Sequence, residues 1–150
     1  MVDDESLKDS TARFFIRQLE FSDIPQVLKI LQQLSQYTPD GFSKADYVDF
    51  LEQNLCARVA VCSETDAVVG YGSVVFSRKI RLGLQAYIED VSVEPSYQRA
   101  GVGKMLVNEL ISLSRSKGAY KVTLSCKATN INFYRKNGFE AFEISMRLVL

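Results

Sequence analysis

The chain has no histidine among its 150 residues and only three cysteines and three prolines. The missing histidine removes the usual general base, the Ser-His and Cys-His nucleophile pairs and the commonest metal ligand. Three scattered cysteines without a histidine make no zinc pattern, so no metal is expected. Acid–base work falls to carboxylates, tyrosine, main-chain carbonyls or water. No apolar run approaches the roughly 18 residues of a spanning helix, so no membrane partner is expected. Eighteen basic residues balance eighteen acidic ones, which excludes the broad positive field of a general nucleic-acid binder. Cys56, Cys62 and Cys126 are odd in number and far apart. They read as reduced thiols of a cytoplasmic protein, Cys62 and Cys126 packed in apolar strands. Met1 to Ser10 is acidic and polar, unlike a secretory leader or a mitochondrial presequence. Residues 1–11 are expected to be disordered.

Apolar content of 47% and charged content of 24% suit one soluble domain with a substantial core. Phe14–Ile16, within Arg13 to Leu19, reads as a first strand. Ser22-Asp23-Ile24-Pro25 starts a helix whose Ile24, Val27, Leu28, Leu31 and Leu34 recur at helical spacing and which stops near Ser35. Thr38-Pro39-Asp40-Gly41 is turn chemistry. Ser43 to Asp46 opens a second helix with a capping-box pattern, Asp standing for Glu. A hairpin follows, Arg58 to Cys62 and Ala67 to Phe76, then a basic loop from Arg78 to Gly83. Tyr87 to Val93 is a strand and Val102 to Lys117 a helix ended by Gly118. Val122 to Cys126 is a strand, Asn130 to Lys136 a short helix, and Phe142 to Leu148 a last strand. The expected class is α/β, a mixed sheet in one domain, with a parallel crossover from Tyr87 to Cys126.

Gln98-Arg99-Ala100-Gly101-Val102-Gly103 lies between the Tyr87–Val93 strand and the long helix. Two glycines two apart let a backbone approach an anion, and the free N–H groups of a new helix point at it. Arg99 and Lys104 add mobile positive charge. The spacing fits neither the dinucleotide fingerprint, since Val107 falls near the third glycine position, nor the Walker pattern. By itself such a turn also fits an ordinary glycine-eased helix start.

Gln98-x-x-Gly101-x-Gly103 after a strand, with Asn130 and Tyr134 in a later strand–helix unit, resembles the GNAT superfamily of acetyl-CoA-dependent N-acetyltransferases over residues 12–150. Within it, Ile88-Glu89-Asp90-Val91, Tyr120 through Leu124 and Asn130 through Phe139 are similar to the glucosamine-6-phosphate N-acetyltransferases. Phe15-Ile16-Arg17 and Leu34-Ser35 fit the same pattern. The resemblance implies a single-domain mixed, splayed β-sheet flanked by helices, with acetyl-CoA in the gap. Pantetheine would lie along Val91, Ser92 and Val93 like an added strand. The diphosphate would sit on Gln98 to Lys104, on the N–H groups of Arg99, Ala100, Gly101, Val102 and Gly103. The implied reaction is direct attack, in a ternary complex, by the 2-amino group of glucosamine 6-phosphate. Its product is N-acetylglucosamine 6-phosphate, an amino-sugar nucleotide precursor. A homodimer is implied, with the C-terminal strand contributing to a partner's site.

On that resemblance Asp90 contacts the sugar or its amine, and Glu89 accepts the proton through water. Neighbours on a strand point to opposite faces, so the two are expected to hold different roles. Tyr134 is the candidate acid for the departing thiolate, since a phenol is a donor at neutral pH; a packed aromatic is the plain alternative. Asn130 is a candidate for the pantetheine and equally a helix cap. Ser35 is the candidate hydroxyl for the sugar phosphate, with Arg147 and the Arg78, Lys79, Arg81 loop behind it. Ser125 stands where this family carries an acidic residue, followed by Cys126 and Lys127. Ser125 supplies no negative charge to orient the ammonium group, though its main-chain carbonyl could still accept a hydrogen bond from it. Two other functions stay open: acetyl transfer to a different amine (a protein N-terminus, polyamine or antibiotic), and acyl-CoA binding without catalysis.

Overall fold

In a computed structural model the described residues are 12–35 and 41–150. The expected disorder of residues 1–11 and the turn at Thr38–Asp40 lie outside them. Five strands form one sheet in chain order: β1 (Phe14–Gln18), β2 (Leu55–Cys62), β3 (Val68–Lys79), β4 (Gly83–Val93) and β5 (Lys121–Leu124). Every neighbouring pair is antiparallel except β4–β5. Helices α1 (Ile24–Leu31), α2 (Lys44–Glu52), α3 (Val102–Ser116) and α4 (Ile131–Lys136) complete the domain.

The period-two pattern of β2 divides the core. Ala57, Val59 and Val61 meet Leu19, Val27 and Ile30 on the α1 face. Ala60 and Cys62 meet Phe14, Val102 and Leu106 on the α3 face. Further along α3, Leu110 packs on Val74, Phe76, Ala86 and Ile88. Each fully buried side chain of this size is worth about 1.5–3 kcal/mol. Close approach of α3 needs Gly70, because a Cβ there would stand 2.9 Å from Leu106 Cδ1.

The second helix starts as its sequence predicts. Asp46 N–H donates to Ser43 Oγ (3.1 Å), and Ser43 N–H donates back to Asp46 Oδ2 (2.7 Å). The start of α1 is built differently. Asp23 makes no cap to its own helix. It is buried and takes two hydrogen bonds from Arg17, at 2.7 and 2.9 Å, and one from Glu20 N–H at 2.8 Å. Burial opposes its charge, but Arg17 and the Glu20 amide prevail and hold the carboxyl below its ordinary value.

Three expectations are corrected. Strand β3 runs on to Lys79 and β4 starts at Gly83, so the basic loop shrinks to residues 80–82. Cys126 is exposed, because β5 ends at Leu124. Residues 139–150 form no strand: a strand requires a paired neighbour, and the sheet ends at β5.

Candidate active site

Strand β4 holds β5 through four residue pairs, Gln85–Lys121 to Ile88–Leu124. Beyond Ile88 the two strands part and open a cleft of about 1370 Å³. One wall is β4 from Glu89 to Val93, another is Ser125 to Lys127, and the far side carries Asn130, Phe133 and Tyr134 of the α4 unit. Gln33 and Leu34 close it from the end of α1.

A β-bulge in the β3–β4 pairing coincides with the parting. Ser73 pairs with Glu89 and Tyr71 with Ser92, so Asp90 and Val91 stand opposite Gly72 alone. Asp90 takes the extra residue's place with φ 56°, a conformation that Asp tolerates better than most residues. Gly72 eases the fit there, since a Cβ would lie 3.1 Å from Leu110 Cδ1 and 3.3 Å from Val91 Cγ2. The bulge breaks the alternation of side chains. Glu89 and Asp90 both line the cleft.

The two carboxyls lie in unequal surroundings. Burial holds Glu89 above its ordinary value, and the adjacent Asp90 charge adds to the rise. A raised carboxyl is suited to taking a proton near neutrality. Below the bulge, burial pushes the Tyr71 phenol up to about 12, partly opposed by the Ser73 hydroxyl. Across the cleft, burial also raises Tyr134, with Cys126 adding to it, so this phenol keeps its proton and can donate. Its ring is fixed between Phe133 and Phe139, with centroids at 4.9 and 5.8 Å.

At the other end of the cleft is the glycine turn. Arg99 and Gly101 both have left-handed backbones, φ 64° and 85°. For arginine that costs about 1–2 kcal/mol, a strain found mainly where a function needs it. A Cβ on Gly101 would meet nothing within 4 Å, so its glycine serves conformation. Gly103 serves contact, since a Cβ there would stand 3.2 Å from Phe133 Cζ. The first turn of α3 offers unpaired N–H groups into this corner, with Arg99 and Lys104 beside it. Donor type, positive charge and open space all fit a diphosphate.

The cleft therefore brings together Glu89, Asp90, Val91, Ser92, Val93, Gln98, Arg99, Gly101, Gly103, Lys104, Ser125, Asn130, Tyr134 and Arg147. Three candidates do not line it. Val102 turns its side chain into the core at 1% exposure. Ala100 and Ser35 are not among the lining residues, Gln33 and Leu34 forming the wall at the α1 end; the role expected of Ala100 and Val102 rests on their main-chain N–H groups, not on their side chains. The basic hairpin is also remote, with Arg78 paired to Leu84 and Lys79 to Gly83. At 3.3 Å per residue, Gly83 is about 20 Å from Glu89. Asn130 makes no side-chain cap to α4, which removes the capping explanation.

Sequence reasoning passed over Gln33, Lys136 and Asn137. Asn137 Nδ2 donates to Phe133 O at 2.8 Å, and its Oδ1 is buried without a partner among the described residues. Lys136 and Lys127 add positive charge to the lining. Only the Asn137-Gly138 helix stop was visible in sequence.

Comparison with known proteins agrees with this architecture. A glucosamine 6-phosphate N-acetyltransferase of Trypanosoma brucei brucei is 39% identical over 139 residues, covering 90% of this chain and 95% of the relative. One from Oryza sativa subsp. japonica is 31% identical over 140 residues, covering 89% and 85%. The crystal structure of a Trypanosoma brucei acetyltransferase superposes with a TM-score of 0.83 at 38% identity, over 91% of this chain and 99% of that one. That of glucosamine-6-phosphate N-acetyltransferase from Arabidopsis thaliana gives 0.81 at 26% identity, over 92% and 99%. Residues 27–139 match the acetyltransferase (GNAT) family, and the chain belongs to it.

Proposed function

We propose that this chain moves the acetyl group of acetyl-CoA to the 2-amino group of glucosamine 6-phosphate. The observation that carries the reading is the bulged β4 edge, which sets two carboxyls and a protonated tyrosine in one cleft with a diphosphate-type turn at its end. The names of the relatives narrow the acceptor to this amino sugar. Acetyl-CoA supplies a thioester carbonyl open to attack by a neutral amine. Glu89 takes the proton that leaves the amine, through water. Asp90 orients the amine and sugar, and Tyr134 donates to the departing sulfur. Val91, Ser92 and Val93 offer an open strand edge to the pantetheine, and Asn130 a side-chain amide. Arg99, Gly101, Gly103 and Lys104 receive the diphosphate. The main chain of Ser125 takes the place of the acidic residue, and Arg147 faces the sugar phosphate.

The active form we propose is a cytoplasmic homodimer. Ser145 and Arg147 of the tail line the cleft, while Phe142, Ile144, Met146 and Leu148 alternate with them and are 74%, 92%, 92% and 84% exposed. That is a strand's alternation with its apolar side bare, and a second copy would cover it. The hairpin cations Arg78, Lys79 and Arg81, too far from their own cleft, could serve only the site of another copy. No helix among the described residues is long and apolar enough to cross a membrane. The product would enter amino-sugar nucleotide synthesis.

The experiment is thiol release from acetyl-CoA with glucosamine 6-phosphate, glucosamine, spermidine and a peptide N-terminus as acceptors. Preference for the phosphorylated sugar is expected. Transfer only to spermidine or peptide rejects the acceptor, and tight acetyl-CoA binding without any transfer rejects catalysis. Sedimentation of the full chain against a variant carrying Ile144→Asp and Met146→Asp checks the dimer, which the variant should lose.

A further inference from the structure

At the end of β4 three segments are tied by a closed ring of side-chain amides. Gln33 Nε2 donates to Val93 O at 3.0 Å. Gln98 Nε2 donates to the same carbonyl at 3.2 Å and to Gln33 Oε1 at 3.2 Å. Gln33 Nε2 also donates to Ile30 O at 3.1 Å, in the last turn of α1. Both donors of each amide are used, and so are both lone pairs of the Val93 carbonyl.

The position of the ring gives it a task. Glu94 N–H donates across to Val69 O of β3 at 2.8 Å. By strand alternation, Val93 C=O then faces the opposite, open edge of β4, where an amide ligand would lie. The ring removes that acceptor from the edge and leaves the Val93 N–H to it. Gln98 is also the residue that enters the left-handed turn at Arg99 and Gly101. A turn with such dihedrals needs fixing from outside, and the fixing reaches it from Gln33, 65 positions earlier.

We infer that Gln33 is a positioning residue for the diphosphate turn: it holds the Gln98 side chain and so pre-sets the N–H groups that receive the anion. The inference rests on the reading of the cleft as an acetyl-CoA site. It belongs to this chain's own residues at both ends, because Gln33 touches no part of the turn except Gln98 in the bonds above.

Calorimetric titration of the full chain with CoA tests it, using Gln33→Leu, Gln98→Leu and the double variant. Leucine is close in size and lacks the amide. Gln33→Leu should raise the CoA Kd about tenfold, or about 1.4 kcal/mol, and raise the acetyl-CoA KM with kcat nearly unchanged. The double variant should be no weaker than Gln98→Leu, since one ring is broken only once. Wild-type affinity in Gln33→Leu, or additive losses in the double variant, overturns the inference alone. No CoA binding by the wild-type chain overturns the parent reading instead.

Discussion

Replacing Tyr134 by phenylalanine isolates one hydroxyl in the proposed chemistry. The ring keeps its edge contacts with Phe133 and Phe139, at 4.9 and 5.8 Å, so the α4 unit should fold as before. What is lost is a donor to a sulfur that gains charge as the thioester breaks. A hydrogen bond to a charged group is worth about 1.5–3 kcal/mol, and 1.4 kcal/mol is a factor of ten in rate. The expected fall in kcat is therefore about 10- to 150-fold. Full general-acid catalysis can reach about 10⁴. The lower range applies here because a thiol with a pKa near 8.5 leaves with modest help. The assay is continuous thiol release at saturating acetyl-CoA and amino sugar, with the acetyl-CoA KM measured beside it. That KM should move by less than about twofold, because the interaction grows only as the bond breaks. Burial raises the phenol above its ordinary value. The wild type should therefore keep this phenol protonated throughout the neutral range. A well-folded Tyr134→Phe protein with kcat within about threefold of wild type would remove the tyrosine from the mechanism.

Glu89→Gln should lower kcat/KM by about 100-fold and abolish its dependence on carboxyl ionisation. In the wild type that dependence lies above the ordinary glutamate range, because burial and Asp90 raise the group; a pH profile of both proteins decides. Arg17→Met leaves the buried Asp23 carboxylate without its main partner and should cost about 3 kcal/mol in urea unfolding at pH 7. Because the folded-state value of Asp23 is lowered, the pair's contribution is complete above the unfolded value near 3.9. It is lost as pH falls through the lower folded value, and the variant should lack that acid-side decline. Gly101→Ala should cost about 1 kcal/mol of stability through its left-handed backbone alone. Gly103→Ala should instead displace Phe133 and raise the acetyl-CoA KM.

Local chemistry was legible in the sequence wherever a residue's own neighbours decide its state. The Ser43–Asp46 cap and the stops at Gly118 and Gly138 follow from adjacent residues, and the structure contains them with both glycines left-handed. Distant partners left no mark. Nothing in the apolar run Tyr87–Val93 signals that Asp90 is an inserted residue, because the bulge exists only in its pairing with β3. Nor could spacing join Gln33 to Gln98, or Asp23 to an arginine on the preceding strand. The Phe142–Leu148 segment carries the alternation of a strand, yet it pairs with none of the five strands, although the outer edge of β5 is open. The glycine turn was readable because its conformational demand falls on the same residues that carry its charge.

The narrow seam between β4 and β5 has a kinetic consequence. The segment after residue 120, which carries much of the cleft, pairs with the sheet backbone through those four rungs, with Val122, Leu124 and Phe139 packed on the core beside them. Amide hydrogens of β5 and α4 should then exchange with solvent through local openings, well before those of β2 and β3, which are paired on both sides. On warming, the protein should stop working at temperatures where circular dichroism still reports most of its fold, and a ligand wedged between the strands should bring the two events together.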